Sequence, residues 1–142
     1  MGHINIDVKR RFMGRFKYDN DLLQEITNFI TNENIRSGEI RIIGAVKKAR
    51  FGYFNQSTRE YKFIEKNEHM EILSAIGNIS LKSGKPFPHV HIILADENGN
   101  AFGGHLMEGT KIFAAEFVIV DYGENNLERV DDDYTGLTLW NL

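Results

Sequence analysis

The chain contains no cysteine, which removes disulfides, thiolate nucleophiles, cysteine zinc fingers and iron–sulfur clusters from consideration. A cysteine-free chain suits a reducing compartment, so a cytoplasmic protein is the expectation. No apolar run approaches the ~20 residues of a membrane span, and the start MGHINIDVKRR lacks the apolar core of a signal peptide. No membrane partner is expected. There is also no excess of positive charge: 17 Lys and Arg against 20 Asp and Glu give a net charge of −3, which argues against wholesale electrostatic binding of nucleic acid. Two local basic stretches remain. Lys9, Arg10, Arg11, Arg15 and Lys17 form one, and Lys47, Lys48 and Arg50 the other. Both overlap strand-like patterns, where charges commonly line a solvated face.

What is present is an ordinary globular composition, 42% hydrophobic and 26% charged over 142 residues, enough to bury the core of one domain. Residues 1–142 read as a single domain, with its core over about 8–122 and a C-terminal segment over 123–142. Arg10 to Tyr18 reads as a first strand. Asp19, Asn20 and Asp21 then offer helix caps, and Leu22, Leu23, Ile26, Phe29 and Ile30 recur at helical spacing, predicting a helix over 20–32. Strands follow over Glu39–Phe54, with a bend at Gly44 or Gly52, and over Glu60–Ile64 and Met70–Leu81, the last interrupted by Gly77. After the loop Ser83–Pro86 come His89–Leu94, Ala101–Leu106 and Ile112–Tyr122. About seven strands and one helix give an α+β fold with a mainly antiparallel β-sheet.

Three of the five histidines, His89, His91 and His105, fall within one β-hairpin. Residues i and i+2 of a strand share a face about 6.7 Å apart, so His89 and His91 point one way and Val90, Ile92 and Leu94 the other. The turn decides where His105 goes. A two-residue turn at Asn98-Gly99 sets Ile92 opposite His105 and sends that histidine to the apolar face. A three-residue turn, Asn98-Gly99-Asn100, sets Ile93 opposite His105, diagonal to His91 at ~7–8 Å, and moves Phe102 and Leu106 to the apolar face. A bulge at Gly103-Gly104 after the shorter turn has the same effect. The second register satisfies the apolar pattern and gathers the histidines at once. Three converging imidazoles suit a divalent metal, zinc above all, with a fourth position open to water or ligand. Gly103 and Gly104 then let a ligand approach the backbone. The competing reading is of polar residues on a solvated strand face.

The stretch GNISLKSGKPFPHVHIILADENGNAFGGHLMEGTKIFAAEFVIVDY resembles the plant and prokaryote conserved (PPC) domain, which in plants accompanies AT-hook DNA-binding motifs. The likeness is strongest at Gly77-Asn78-Ile79-Ser80, Gly84-Lys85-Pro86, Pro88-His89-Val90-His91, Gly103-Gly104-His105-Leu106 and Gly109. It runs from the first strand through DDDYTGLTLWNL, nearly the whole chain. The resemblance implies a largely antiparallel sheet flanked by helices, assembly as a homotrimer and, in some prokaryotic members, a metal on the histidines matching His89, His91 and His105. The plant AT-hook has an Arg-Gly-Arg-Pro core that enters the minor groove. This sequence contains no such core, so DNA as a partner draws little support here.

Glu116 interrupts the apolar run Phe113–Val120, and a charge there is seldom buried alone. It is a candidate to orient a ligating histidine or to act as a general base; a partly exposed strand residue or an ion pair with Lys111 or Arg50 is the plainer reading. Lys85 and Glu108 read as solvated loop charges, and His69 as structural. Two functions stay open: a metal-binding domain with a ligand or catalytic site, or a regulatory module that binds DNA or protein without catalysis.

Overall fold

In the computed structural model, which describes residues 2–142, the chain forms β1 (Arg10–Arg15), α1 (Leu22–Asn32), β2 (Gly38–Asn55), β3 (Glu60–Lys66), β4 (Met70–Lys82), β5 (Lys85–Ala95), β6 (Ala101–Leu106), β7 (Lys111–Asp121), β8 (Arg129–Asp131) and β9 (Thr138–Trp140). Seven strands make one antiparallel sheet in the order β1-β7-β2-β4-β5-β6, with β3 also on β2. The α+β architecture expected from the sequence is therefore the one observed. The sheet curls because β2 is 18 residues long. Its first half lies between β7 and β4, and its second half pairs with β3 and returns to meet β6. The bend falls at Gly44, where the pairing with β4 slips and φ is +145°. A side chain there would also run into the carbonyl oxygen of Ala114.

The helix forms where its cap is strongest. Asp21 stays extended and accepts a hydrogen bond from the Gln24 backbone at 3.1 Å, while Leu22, Ile26 and Ile30 are buried on one stripe. That stripe packs with Ile40, Ile42, Val90, Ile92 and Leu94 into the core. The other carboxylate oxygen of Asp21 accepts from the Gly109 backbone at 2.6 Å, fixing the loop before β7. The first strand is shorter than Arg10–Tyr18: it ends at Arg15, Phe16 turns into the core, and Asp19 takes a φ of +64°.

Gly77 does not interrupt its strand, because β4 runs unbroken from Met70 to Lys82. The β4–β5 loop is only Ser83-Gly84, both at positive φ (52° and 72°), the two-residue turn whose twist suits a hairpin. Pro86 and Pro88 accordingly lie inside β5, on a stretch that β6 does not reach, so their missing N–H groups leave no ladder bond unmade. The C-terminal segment carries a hairpin that the sequence did not announce, β8 against β9, with Arg129 opposite Trp140.

Candidate metal centre

Alternation along β5 buries Val90, Ile92 and Leu94 and turns His89 and His91 to the opposite face. The turn to β6 is neither of the two short ones. It spans Asp96–Asn100, where the Asp96 carboxylate accepts from the backbones of Asn98 and Asn100 at 2.9 Å each, and Gly99 takes a φ of +79°. His91 therefore stands directly opposite His105, and Ile93 opposite Gly103. The register differs by two residues from the three-residue turn. A shift of two preserves the face, so His105 still joins the other two, one step closer to His91 than the diagonal placement.

One ring nitrogen from each of His89, His91 and His105 lies within 4.8 Å of the others. The Nε2 atoms of His89 and His91 are 3.2 Å apart, close to the roughly 3.3 Å between two nitrogens on a tetrahedral zinc at 2.0–2.1 Å. His105 Nδ1 is buried without a hydrogen-bond partner, and a Lewis-acid partner suits such an atom. Burial, followed by the Arg129 guanidinium and the neighbouring imidazoles, pushes the His89 pKa down to about 4. Burial, then His91 and Arg129, lowers that of His105. Both shifts favour neutral imidazole, the form that ligates metals. One contact opposes the fit: Arg129 Nη2, a donor only, stands 3.4 Å from His89 Nδ1, where a ligating histidine would place its own proton. At that length it is the weakest of Arg129's contacts, and the donor set as a whole fits a metal.

The three histidines line a pocket of about 620 Å³ with Gly104, Tyr61 and Arg129. On the other side, His89 and His91 border a hollow of about 720 Å³ with Ile76, Tyr122 and Trp140. Gly104 is small for a backbone reason: a side chain there would approach the Gly52 carbonyl oxygen at 2.5 Å, where β6 meets β2. At Gly103 it would meet the Ile92 carbonyl oxygen. Glu116 is not brought to the histidines. It is exposed on β7, with β2 and β4 between it and His91 and a two-residue offset along the strands, about 16 Å away by strand geometry. It lines a separate groove of about 710 Å³ with Met13, Arg15 and Ile43, and among the described residues neither Lys111 nor Arg50 pairs with it. Lys85, Glu108 and His69 also lie outside the histidine pocket.

Arg129, which no pattern in the sequence singles out, is buried against the site. Its Nε donates to Ser80 Oγ at 2.8 Å, Nη2 to Asn78 Oδ1 at 2.7 Å and Nη1 to the Thr138 carbonyl at 3.0 Å. The available signal was Asn78-x-Ser80 on β4, two polar residues of one face set among Ile76, Ile79 and Leu81. Nothing around Arg129 itself marked it.

A curled antiparallel sheet with one helix on its inner face, and three histidines meeting on adjacent strands of its outer face, defines a class of small trihistidine β-domain. The chain belongs to the Plants and Prokaryotes Conserved (PCC) domain family, whose profile matches residues 5–123. It is similar to a metal-containing protein from Archaeoglobus fulgidus, with 38% identity, a TM-score of 0.93 and 99% of each chain covered. A plant- and prokaryote-conserved (PPC) protein from Pyrococcus horikoshii gives 37% identity and a TM-score of 0.93, over 100% of this chain and 98% of that one. A Bacteroides thetaiotaomicron protein provisionally labelled DNA-binding gives 27% identity and a TM-score of 0.87, over 96% of each. The chain also matches bifunctional GlmU proteins of two Synechococcus strains, at 30% and 28% identity, but spans only 18% and 20% of their length.

Proposed function

We propose that the chain is a zinc-binding member of this family, in which His89, His91 and His105 hold the ion and leave one coordination position open. The observation that carries the reading is the gathering of their three nitrogens within 4.8 Å. The metal-containing relative from Archaeoglobus supports it. A donor set of imidazoles without carboxylates favours zinc over magnesium or calcium. When bound, zinc supplies a Lewis acid at its open position. The chain's own residues supply the rest: Val90, Ile92 and Leu94 anchor β5 so that His89 and His91 share one face. Arg129, tied to Ser80 and Asn78, keeps positive charge beside them. Glu116 has no part in this reading. We place the protein in the cytoplasm on its cysteine-free composition. Copies assemble as a homotrimer through the outer sheet face, where Met13, Ile43, Ile76 and Ile93 are exposed.

A second reading, a DNA-binding module without catalysis, is favoured by the label on the Bacteroides relative. Charge counts against it. Arg10 is paired with Asp121 at 2.7 Å, Lys47 with Asp19 at 2.7 Å and Lys48 with Glu65 at 2.9 Å, so both basic stretches are partly neutralised. Elemental analysis of tag-free protein beside the triple variant His89→Ala, His91→Ala, His105→Ala separates the two. About one zinc per chain in the wild type and none in the variant is expected. No metal in either, together with salt-dependent DNA affinity, would leave the DNA-binding module.

A further inference from the structure

Arginine is seldom buried unless a carboxylate meets it. Arg129 is 8% exposed, yet among the described residues no Asp or Glu forms an ion pair with it. Ser80, Asn78, the Thr138 carbonyl and His89 are all neutral partners. They occupy most of its five N–H groups, leave one on Nη1 free, and leave its charge uncancelled. The rings of Phe87 and Trp140, 5.7 and 5.8 Å from the guanidinium carbon, compensate only in part.

The uncancelled charge faces the histidine pocket. Arg59 and Lys82 line the same space, and among the described residues no acidic side chain does. Three cations and no anion bordering one pocket is a marked local excess in a chain whose net charge is −3. At about 620 Å³ the pocket is of small-molecule size. Much of its remaining wall is apolar, including Phe87, Met107, Leu137 and Leu139.

We propose that this pocket binds a small organic oxyanion, a carboxylate or phosphate carried on an apolar body, with Arg129 as its buried charge partner and Lys82 and Arg59 at its rim. Ser80 and Asn78 hold the guanidinium in place, so little side-chain entropy is lost when the anion arrives. The proposal deepens the zinc reading, since the anion lies beside the histidines. It rests on Arg129 rather than on the ion, and the two can fail separately.

The test is calorimetric titration of the full chain, zinc-loaded and chelator-treated, with inorganic phosphate and with benzoate. Binding of at least one probe is expected in both forms. R129M should weaken it by about tenfold or more, since a charge-assisted contact is lost. Because Arg129 is buried, the exposed Lys82 provides a second variant: K82Q should fold normally and weaken binding by about threefold. Preference for phosphate assigns the ligand to phosphate esters; preference for benzoate assigns it to carboxylates. No binding of either probe below about 10 mM, or an unchanged affinity in a folded R129M, overturns the proposal. Anion binding by a chain that takes up no zinc would keep it and remove the metal reading. Zinc uptake without anion binding would do the reverse.

Discussion

His89 and His91 sit two residues apart on one strand, yet burial treats them differently: His89 is half-buried beside Arg129, and His91 is exposed. The difference makes separate predictions. Folding moves the His89 pKa from its ordinary 6.5 down to about 4, through burial first and Arg129 second. The unfolded chain therefore binds more protons than the folded one across that interval, and stability falls as pH drops from 6.5 towards 4. Metal-free protein should accordingly show a lower urea midpoint at pH 5 than at pH 7. His89→Gln should lose part of that difference, leaving the share due to His105, whose pKa moves the same way. An undiminished difference in the variant would place the dependence elsewhere. His91 faces solvent instead. As an exposed side chain it should cost no more than ~0.5 kcal/mol of metal-free stability when replaced by Gln, while zinc content falls sharply. Thermal melts of chelated protein beside elemental analysis would check it; a large loss of stability would mean a structural role.

At the scale of elements, the apolar alternation of β5 was legible, and it decides most of the site, because Val90, Ile92 and Leu94 can face only inward. The length of the β5–β6 turn was not. Asp96 adds side-chain bonds to Asn98 and Asn100 that close a five-residue loop where Asn98-Gly99 advertised a shorter one. The site remained readable because parity, not exact register, fixes the face. The β8–β9 hairpin was invisible for a different reason: strands of three residues are too short for alternation to register. With it went Arg129, whose partners Asn78 and Ser80 on β4 lie some 50 residues earlier in the chain (51 and 49). Gly104 tests how β6 is held. Its substitution by Ala would set Cβ 2.5 Å from the Gly52 carbonyl oxygen, backbone that cannot swing away. The β6–β2 contact must widen, at a cost of about 1–3 kcal/mol, and His105, which pairs with Gly52, moves with it. Lower stability together with weaker zinc binding is expected in chemical denaturation and zinc titration. Unchanged zinc affinity would show that His105 is positioned by β5 alone.

At the scale of the whole molecule, the candidate site sits on a sheet face that carries exposed aliphatic side chains. Pairing across the sheet aligns Met13, Val118, Arg41, Ile76, His91 and His105 in one outward row. Met13 and Ile76 in that row are exposed, as are Ile43 and Ile93 in the next. Large aliphatic groups spread over one sheet face mark an interaction surface; the proposed trimer would cover it, and a stable interface needs about 800 Å² from each partner. Ile76 tests this because it is 60% exposed within one chain, so replacing it with Lys removes little from the monomer's own core. In the proposed trimer the same lysine would be buried without a partner, which is strongly unfavourable. Sedimentation should therefore find a trimer in the wild type and a folded monomer in Ile76→Lys. A wild-type monomer, or a variant that still assembles, would remove this face from the interface. The variant's metal content then carries a further distinction, because Ile76 is the cross-strand neighbour of His91. Zinc retained at about one per chain by the monomer would mean that one chain's three histidines suffice; zinc lost with the trimer would mean that the neighbouring copy closes the site.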